Sequence, residues 1–285
     1  MNAAGEVVHV GRSYGGRHLT LDRAEVAPYV GALEIENPLY ESVVPGLLLH
    51  SECYEDLSWY LAKIYGNLHA RQEWELYAEI PLGARVSTRS FIRERYRKRG
   101  RDYVVKETWV LDEEGALLSR GITHQSFLVE DEARDETGNV VDKKREKSRG
   151  RRFDIDTAGA TPLEPLTRTV SDSMCMAFSG PEKNYHTDRE AARKLGFPDI
   201  VVQGMLPICL VSELLTRDFG RGWLAGGKMD VRLVNVLWAG EDVRACAQVT
   251  DESPEGDKTR AHLDVWVEKS DSTKVIIGRS SALRL

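Results

Sequence analysis

One histidine in this chain stands where its neighbours can support proton chemistry. His186 lies in the run Phe178-Ser-Gly-Pro-Glu-Lys-Asn-Tyr-His186-Thr-Asp-Arg-Glu-Ala-Ala192, flanked by Glu182, Asn184, Tyr185 and Asp188. An imidazole titrates near neutrality, so it can take a proton from water and return one to a leaving hydroxyl. Thr187 and Glu190 have the Ser/Thr-x-x-Glu form of a capping box, which predicts a helix starting just after His186 and leaves the ring in the preceding loop. His9, His18, His50, His69, His124 and His262 have no comparable setting.

A second stretch belongs with the first. Asp199-Ile-Val-Val-Gln-Gly204-Met-Leu-Pro-Ile-Cys-Leu-Val-Ser-Glu-Leu-Leu215 reads as a loop followed by a long apolar helix. Pro207 fits the first turn, where the amide it lacks would be unpaired anyway. The free amides near Gly204 then point toward the loop. Such an amide, aided by the helix dipole, can donate to a carbonyl oxygen and stabilise an enolate, and glycine lets a substrate approach closely.

These residues resemble the motif of the MaoC-like dehydratase and (R)-specific enoyl-CoA hydratase family, which runs Ser-Gly-Asp-x-Asn-Pro-Ile-His-x-Asp, then Ala, then Gly-Met or Gly-Leu opening a central helix. Ser179, Gly180, His186, Asp188, an alanine at Ala191 or Ala192, and Gly204-Met205 match it. The chain departs from the pattern at Pro181, where the family has its catalytic aspartate, and at Lys183-Asn184 in place of Asn-Pro. The resemblance implies a hotdog fold and addition or removal of water on an acyl thioester. His186 would be general base and acid, Gly204 the carbonyl-binding amide, and Tyr185 and Met205 its neighbours on the substrate. Glu182 reaching in from a shifted loop, Asn184 orienting water, Asp188, or Tyr185 as proton donor could fill the role lost at Pro181. The sequence does not choose among them. A negative charge at Asp188 also suits a helix N-terminus.

The same landmarks recur about 157 positions apart. Val43-Val-Pro-Gly46-Leu-Leu matches Val201-Val-Gln-Gly204-Met-Leu, and Gly83, Trp109 and Gly121 match Gly240, Trp266 and Gly278. Each half reads as a loop, an apolar helix and alternating segments, near 73–80, 84–97, 102–112 and 116–129 in the first and 227–237, 242–251, 258–268 and 273–284 in the second. The expected fold class is α+β, a double hotdog in which each half wraps a curved antiparallel sheet around a central helix. Residues 1–130 form the expected first hotdog and 161–285 the second, catalytic one. In the first, Asn37-Pro38-Leu-Tyr40 resembles a worn copy of the motif with Tyr40 in place of the histidine, so that half is expected to shape the binding tunnel.

Between them, 131–160 reads as a charged linker. Its mixed charges suit a solvated segment, while Arg149, Arg151 and Arg152 suit the phosphates of a CoA or carrier-protein arm.

Composition narrows the rest. A chain of 285 residues with 41% hydrophobic and 29% charged residues is ordinary globular material. The net charge of -6 argues against a nucleic-acid protein. No apolar run suits a membrane span, the N-terminus lacks a signal peptide's pattern, and Cys53, Cys175, Cys209 and Cys246 show no paired spacing. The expectations are therefore a cytoplasmic lyase with no required metal or redox cofactor. CoA or phosphopantetheine would carry the substrate, acyl-CoA or an acyl carrier protein would deliver it, and the chain would pair as a homodimer. Thioester hydrolysis on the same fold and a catalytically silent partner subunit are the alternatives.

Overall fold

The structure, a computed structural model, describes residues 8–53, 68–128 and 153–285. Its strands form one sheet. In chain order they are β1 (His18–Thr20), β2 (Leu68–Leu76), β3 (Arg85–Lys98), β4 (Arg101–Leu111), β5 (Leu117–Leu128), β6 (Thr161–Pro162), β7 (Leu166–Thr169), β8 (Lys228–Leu233), β9 (Asp242–Glu255), β10 (Lys258–Lys269) and β11 (Lys274–Arg284). The spatial order is β1-β3-β4-β5-β2-β8-β11-β10-β9-β6, with β7 also on β9. All pairings between these strands are antiparallel.

The sequence repeat is a repeat of register. Ser90 pairs with Thr108 and Thr108 with Gly121; in the second half Ala247 pairs with Val265 and Val265 with Gly278. Even the irregularities coincide. A bulge leaves Arg93 unpaired beside Ile92, and the same bulge leaves Thr250 unpaired beside Val249. The turns entering β3 and β9 both use a left-handed glycine, Gly83 at φ 88 and Gly240 at φ 86.

The halves join where β2 pairs with β8. Glu73 stands opposite Asp230, its own counterpart in the repeat, so the approximate two-fold axis passes between them. Arg71 crosses this seam and donates through Nε and Nη2 to both Asp230 carboxylate oxygens, each at 2.6 Å.

In the second half the helix Met205–Phe219 lies under the sheet. It is apolar nearly all round, as a helix surrounded by protein must be. Leu206, Ile208, Leu210, Val211, Leu214 and Leu215 are fully buried; burying each contributes about 1.5–3 kcal/mol relative to exposure. They share one core with Ala245, Ala247, Val249, Leu263, Val265, Val267, Ile276 and Ala282 from β9 to β11. Gly220, at φ 53, ends the helix with its amide on the Thr216 carbonyl.

Two expectations shift. The first strand of the first half starts at Leu68 rather than near 73, because an irregularity between His69 and Arg71 interrupts the alternation. After Gly46 the described chain forms a 3-10 turn, Leu48–Cys53, kinked at Leu49, and the rest of the expected apolar helix lies outside the described residues. Most of the charged linker, including Arg149, Arg151 and Arg152, lies outside the described residues.

Candidate functional site

The loop carrying His186 is built by two side chains. Asn184 Oδ1 accepts from the His186 amide at 2.7 Å, and its Nδ2 donates to the carbonyls of Glu182 at 3.2 Å and Ser179 at 3.4 Å. Thr187 turns inward and is buried; its hydroxyl donates to Glu182 O at 2.8 Å and accepts from Asn184 N at 2.9 Å. The expected capping box is therefore corrected. Asp188, in extended conformation, is the N-cap of the helix Arg189–Lys194 and accepts from Ala191 N. Thr187 cannot cap because its oxygen closes the loop instead.

His186 Nδ1 lies 2.6 Å from the Val201 carbonyl oxygen. A carbonyl only accepts, so Nδ1 carries the proton and Nε2 presents its lone pair. Nε2 has no hydrogen-bond partner among the described residues. The Tyr185 ring packs on the imidazole with centroids 3.9 Å apart and continues to Phe197 and, through it, Trp238. Burial lowers the His186 pKa to about 4, outweighing the opposite effect of the Val201 bond. The ring is thus a neutral base at pH 7. Burial also raises the Tyr185 hydroxyl to about 12.

Val201 ties the histidine to the helix mouth. Its amide donates to Tyr185 O at 3.1 Å while its carbonyl receives His186, and Gly204 follows three positions later as the N-cap of Met205–Phe219. The first-turn amides of that helix have no intrahelical acceptor. On its Cα side Gly204 is closely packed: a Cβ there would lie 2.5 Å from Leu233 Cδ2 and 3.1 Å from His69 Nδ1. A histidine of the first half therefore abuts the helix mouth of the second. His69 Nε2 is 3.1 Å from Gln72 Oε1, which also accepts from the Thr123 hydroxyl at 2.8 Å. Burial holds His69 neutral, with a pKa near 4.

The structure thus ties His186 and Tyr185 to Val201, three residues before Gly204. It gives other tasks to two expected water-holding residues. Asn184 spends its polar atoms on the loop, and Asp188 caps a helix and pairs with Lys183 at 3.3 Å. Glu182 is exposed, and its carboxylate has no partner among the described residues. Met205 is fully buried in the core, so its side chain packs there. His69 was missed because it precedes the irregularity in β2, outside the expected strand.

A second polar cluster is wholly internal. Glu213, on the central helix, accepts from Tyr29 at 3.0 Å and from Tyr40, the residue standing for the histidine in the worn motif. Burial raises the Glu213 carboxyl to about 7, against the lowering effect of the tyrosine bonds. Tyr29 also approaches the His50 ring, which stacks on Phe178 at 4.5 Å. A cleft of about 270 Å³ lies at the β2–β8 junction, lined by strand residues such as Glu73, Lys228, Asp230 and Arg279, with none from the His186 loop. Among the described residues no helix is long and apolar enough to cross a membrane, and no group of His, Cys, Asp and Glu side chains could hold a metal.

Comparison with known proteins places this architecture. Residues 155–269 match the family described as MaoC like domain. A solved structure named MaoC-like dehydratase is similar, with TM-score 0.73 and 17% identity over 96% of this chain and 98% of the other. A conserved hypothetical protein from Mycobacterium tuberculosis, described as having a double hotdog fold, gives TM-score 0.64 and 16% identity over 98% and 97%. A putative oleoyl thioesterase from Lactobacillus plantarum gives 0.55 and 12% over 95% of each chain. No curated protein matches. The chain is a double hotdog. Its second half carries the match to a MaoC like domain, over residues 155–269.

Proposed function

We propose that the protein adds water to, or removes it from, an α,β-unsaturated acyl thioester carried on CoA or phosphopantetheine. The observation that carries this reading is the His186 tautomer: Nδ1 is committed to the carbonyl of Val201, three residues before the Gly204 helix mouth, which leaves Nε2 as the unprotonated nitrogen of a neutral base.

In the hydration direction, His186 Nε2 takes a proton from water as the water oxygen bonds to the β-carbon. The electrons of the double bond move into the thioester carbonyl, and the amide at Gly204 donates to the resulting enolate oxygen. The imidazolium then supplies a proton to the α-carbon, so the proton balance closes on one side chain. Tyr185 shields the imidazole, and its raised hydroxyl keeps its proton throughout. Glu182, exposed at the same loop, is the carboxylate left to order the incoming water. Arg149, Arg151 and Arg152 would meet the phosphates of the carrier, and a cytoplasmic homodimer is the expected form.

The test follows loss of enoyl-thioester absorbance with short, medium and branched enoyl-CoA substrates, beside His186→Ala. Turnover that falls about 10²–10⁴-fold in the variant supports the lyase. Release of free thiol instead would point to hydrolysis. Inert wild type on CoA and carrier-bound substrates alike would overturn the enzymatic reading and favour a silent subunit.

A further inference from the structure

The approximate two-fold axis gives the sheet two equivalent ends, and they carry opposite charge. At one end Leu233 lies against Gly204; at the other its counterpart Leu76 lies against Gly46, the glycine of the first half. Each end has its own hairpin. Arg95, in the β3–β4 hairpin, stands in a ladder row with Val104, Gln125 and His69, so that hairpin belongs to the Gly204 end. Asp251, in the β9–β10 hairpin, stands in a row with His262, Ser281, Lys228 and Glu75, which puts it at the Gly46 end.

Equivalent positions show the reversal. Glu75, Glu252 and Glu255 at the Gly46 end become Arg232, Arg95 and Lys98 at the Gly204 end. The carboxylates of the second hairpin are answered within the chain: Glu252 accepts from Arg284 and Glu255 from Arg260 Nη2, each at 2.6 Å. The first hairpin is different. Arg95 is held by Asp102, but Arg97, Lys98 and Arg99 at the tip are exposed, and none has a hydrogen-bond or ion-pair partner among the described residues. The same holds for Arg232, beside Leu233.

The turn carries a second sign. Arg99 and Gly100 form the two-residue loop between Lys98 and Arg101, both with positive φ, 51 and 69, a geometry that favours Asn-Gly. The counterpart of Arg99 is Gly256, at φ 64. The first half thus keeps a long cation in a conformation for which the second uses glycine, which the turn itself does not require. Adjacent like charges with no internal partner repel one another, and an anionic surface meeting them removes that cost.

We propose that the tip of the β3–β4 hairpin docks an acidic carrier protein that bears the acyl group on a phosphopantetheine arm. Shape and reach decide the occupant. Sites for free small ligands are concave, whereas this tip is a protruding turn, which suits a second macromolecular surface. From His69 to Arg95 is three strand spacings, roughly 14 Å, and the turn lies about 10 Å further along the strand. The arm bridges that gap to Gly204. A second copy of this chain is the poorer match, because its acidic hairpin has Glu252 and Glu255 paired internally. The proposal rests on the thioester reading given above.

Binding tests the hairpin apart from turnover. In fluorescence-anisotropy titrations of the full-length protein, a labelled butyryl carrier protein from the source organism should bind wild type at least about tenfold more tightly than Arg97→Glu/Lys98→Glu/Arg99→Glu. Butyryl-CoA should bind the two within about twofold of each other. The neutral set Arg97→Gln/Lys98→Gln/Arg99→Gly, whose glycine suits the turn, should weaken the carrier protein about threefold or more, and serves if reversed charge disturbs folding. A carrier protein that fails to bind wild type, or binds the variants equally well, would overturn the proposal. So would equal weakening of butyryl-CoA, which would make the tip a nucleotide-phosphate site, or a dimer lost in the variants with carrier-protein binding intact, which would make it an interface between copies. Hydration of crotonyl-CoA by wild type, measured separately, tests the lyase reading, so the two fail independently.

Discussion

His69 and Gly204 come from different halves of the chain yet share one contact: a Cβ on Gly204 would lie 3.1 Å from His69 Nδ1. The helix mouth of the second hotdog is thus walled by a side chain from the first. β2, which carries His69, is also the strand that pairs with β8, so the seam of the sheet and the wall of the site are one element. Separating the halves would remove the wall as well as the seam.

Gly204→Ala is expected to fold and to lose catalysis. The nearest atom to the new methyl is the tip of Leu233, at 2.5 Å, which can rotate away, whereas the His69 ring is held through Gln72. Relaxation therefore shifts the helix mouth and its amide. Loss of one such donor costs about 10²–10³ in kcat. Circular dichroism and steady-state kinetics on enoyl-CoA check this; a folded variant with wild-type kcat would remove Gly204 from the mechanism.

The pH profile follows from the state of His186. Its folded pKa near 4 lies below the ordinary value of 6.5, so the neutral base persists across physiological pH. The acid limb of kcat/KM should fall through about pH 4 rather than 6.5. A limb centred near 6.5 would mean that the ring is hydrated and charged more easily than its packing under Tyr185 implies.

Much of this arrangement is legible in the sequence because the repeat is strict. The glycines at 83, 121, 240 and 278 mark turns and close strand contacts that recur with the register, and every long strand except β2 lies near its expected position. The site is less legible. Alternation breaks at the irregularity after His69, hiding that residue from a strand pattern. Thr187 and Asp188 both suit an N-cap, and only the fold decides that Thr187 closes the loop. Glu213 reads as one polar residue in an apolar helix; its partners Tyr29 and Tyr40 lie far away in sequence.

The equivalent glycines Gly121 and Gly278 should respond differently to alanine. At 278 the methyl would lie 2.1 Å from the Asp230 carbonyl oxygen and 2.7 Å from Val231 Cα, both fixed backbone atoms of β8. At 121 it meets Cys53 Sγ and the Trp74 ring at 2.9 Å, side chains with some freedom. Gly278→Ala should cost about 3 kcal/mol and Gly121→Ala about 1 kcal/mol. Urea unfolding of both variants decides it; equal losses would show that the Trp74 ring is as immobile as backbone.

Glu213 should make stability depend on pH in an unusual direction. Its carboxyl is raised from 4.5 to about 7 by burial, and the groups against it, Tyr29, Tyr40, Cys209 and Thr216, are uncharged in that range. Because the folded value exceeds the unfolded one, its contribution is complete below about pH 4.5 and is lost as pH rises through about 7. At about 1.4 kcal/mol per pH unit the loss reaches roughly 3 kcal/mol. His50, His69 and His186 act oppositely: each is lowered to about 4, so its contribution is present above 6.5 and lost as pH falls through 4. The wild-type curve therefore combines both slopes, and the Glu213 part emerges as the difference from Glu213→Gln, which can still accept from a tyrosine. Chemical denaturation of both proteins from pH 4.5 to 8 should show the variant gaining relative stability with pH. A constant difference would mean that the carboxyl is ionised in the folded core throughout, with the two tyrosine hydroxyls supplying its solvation.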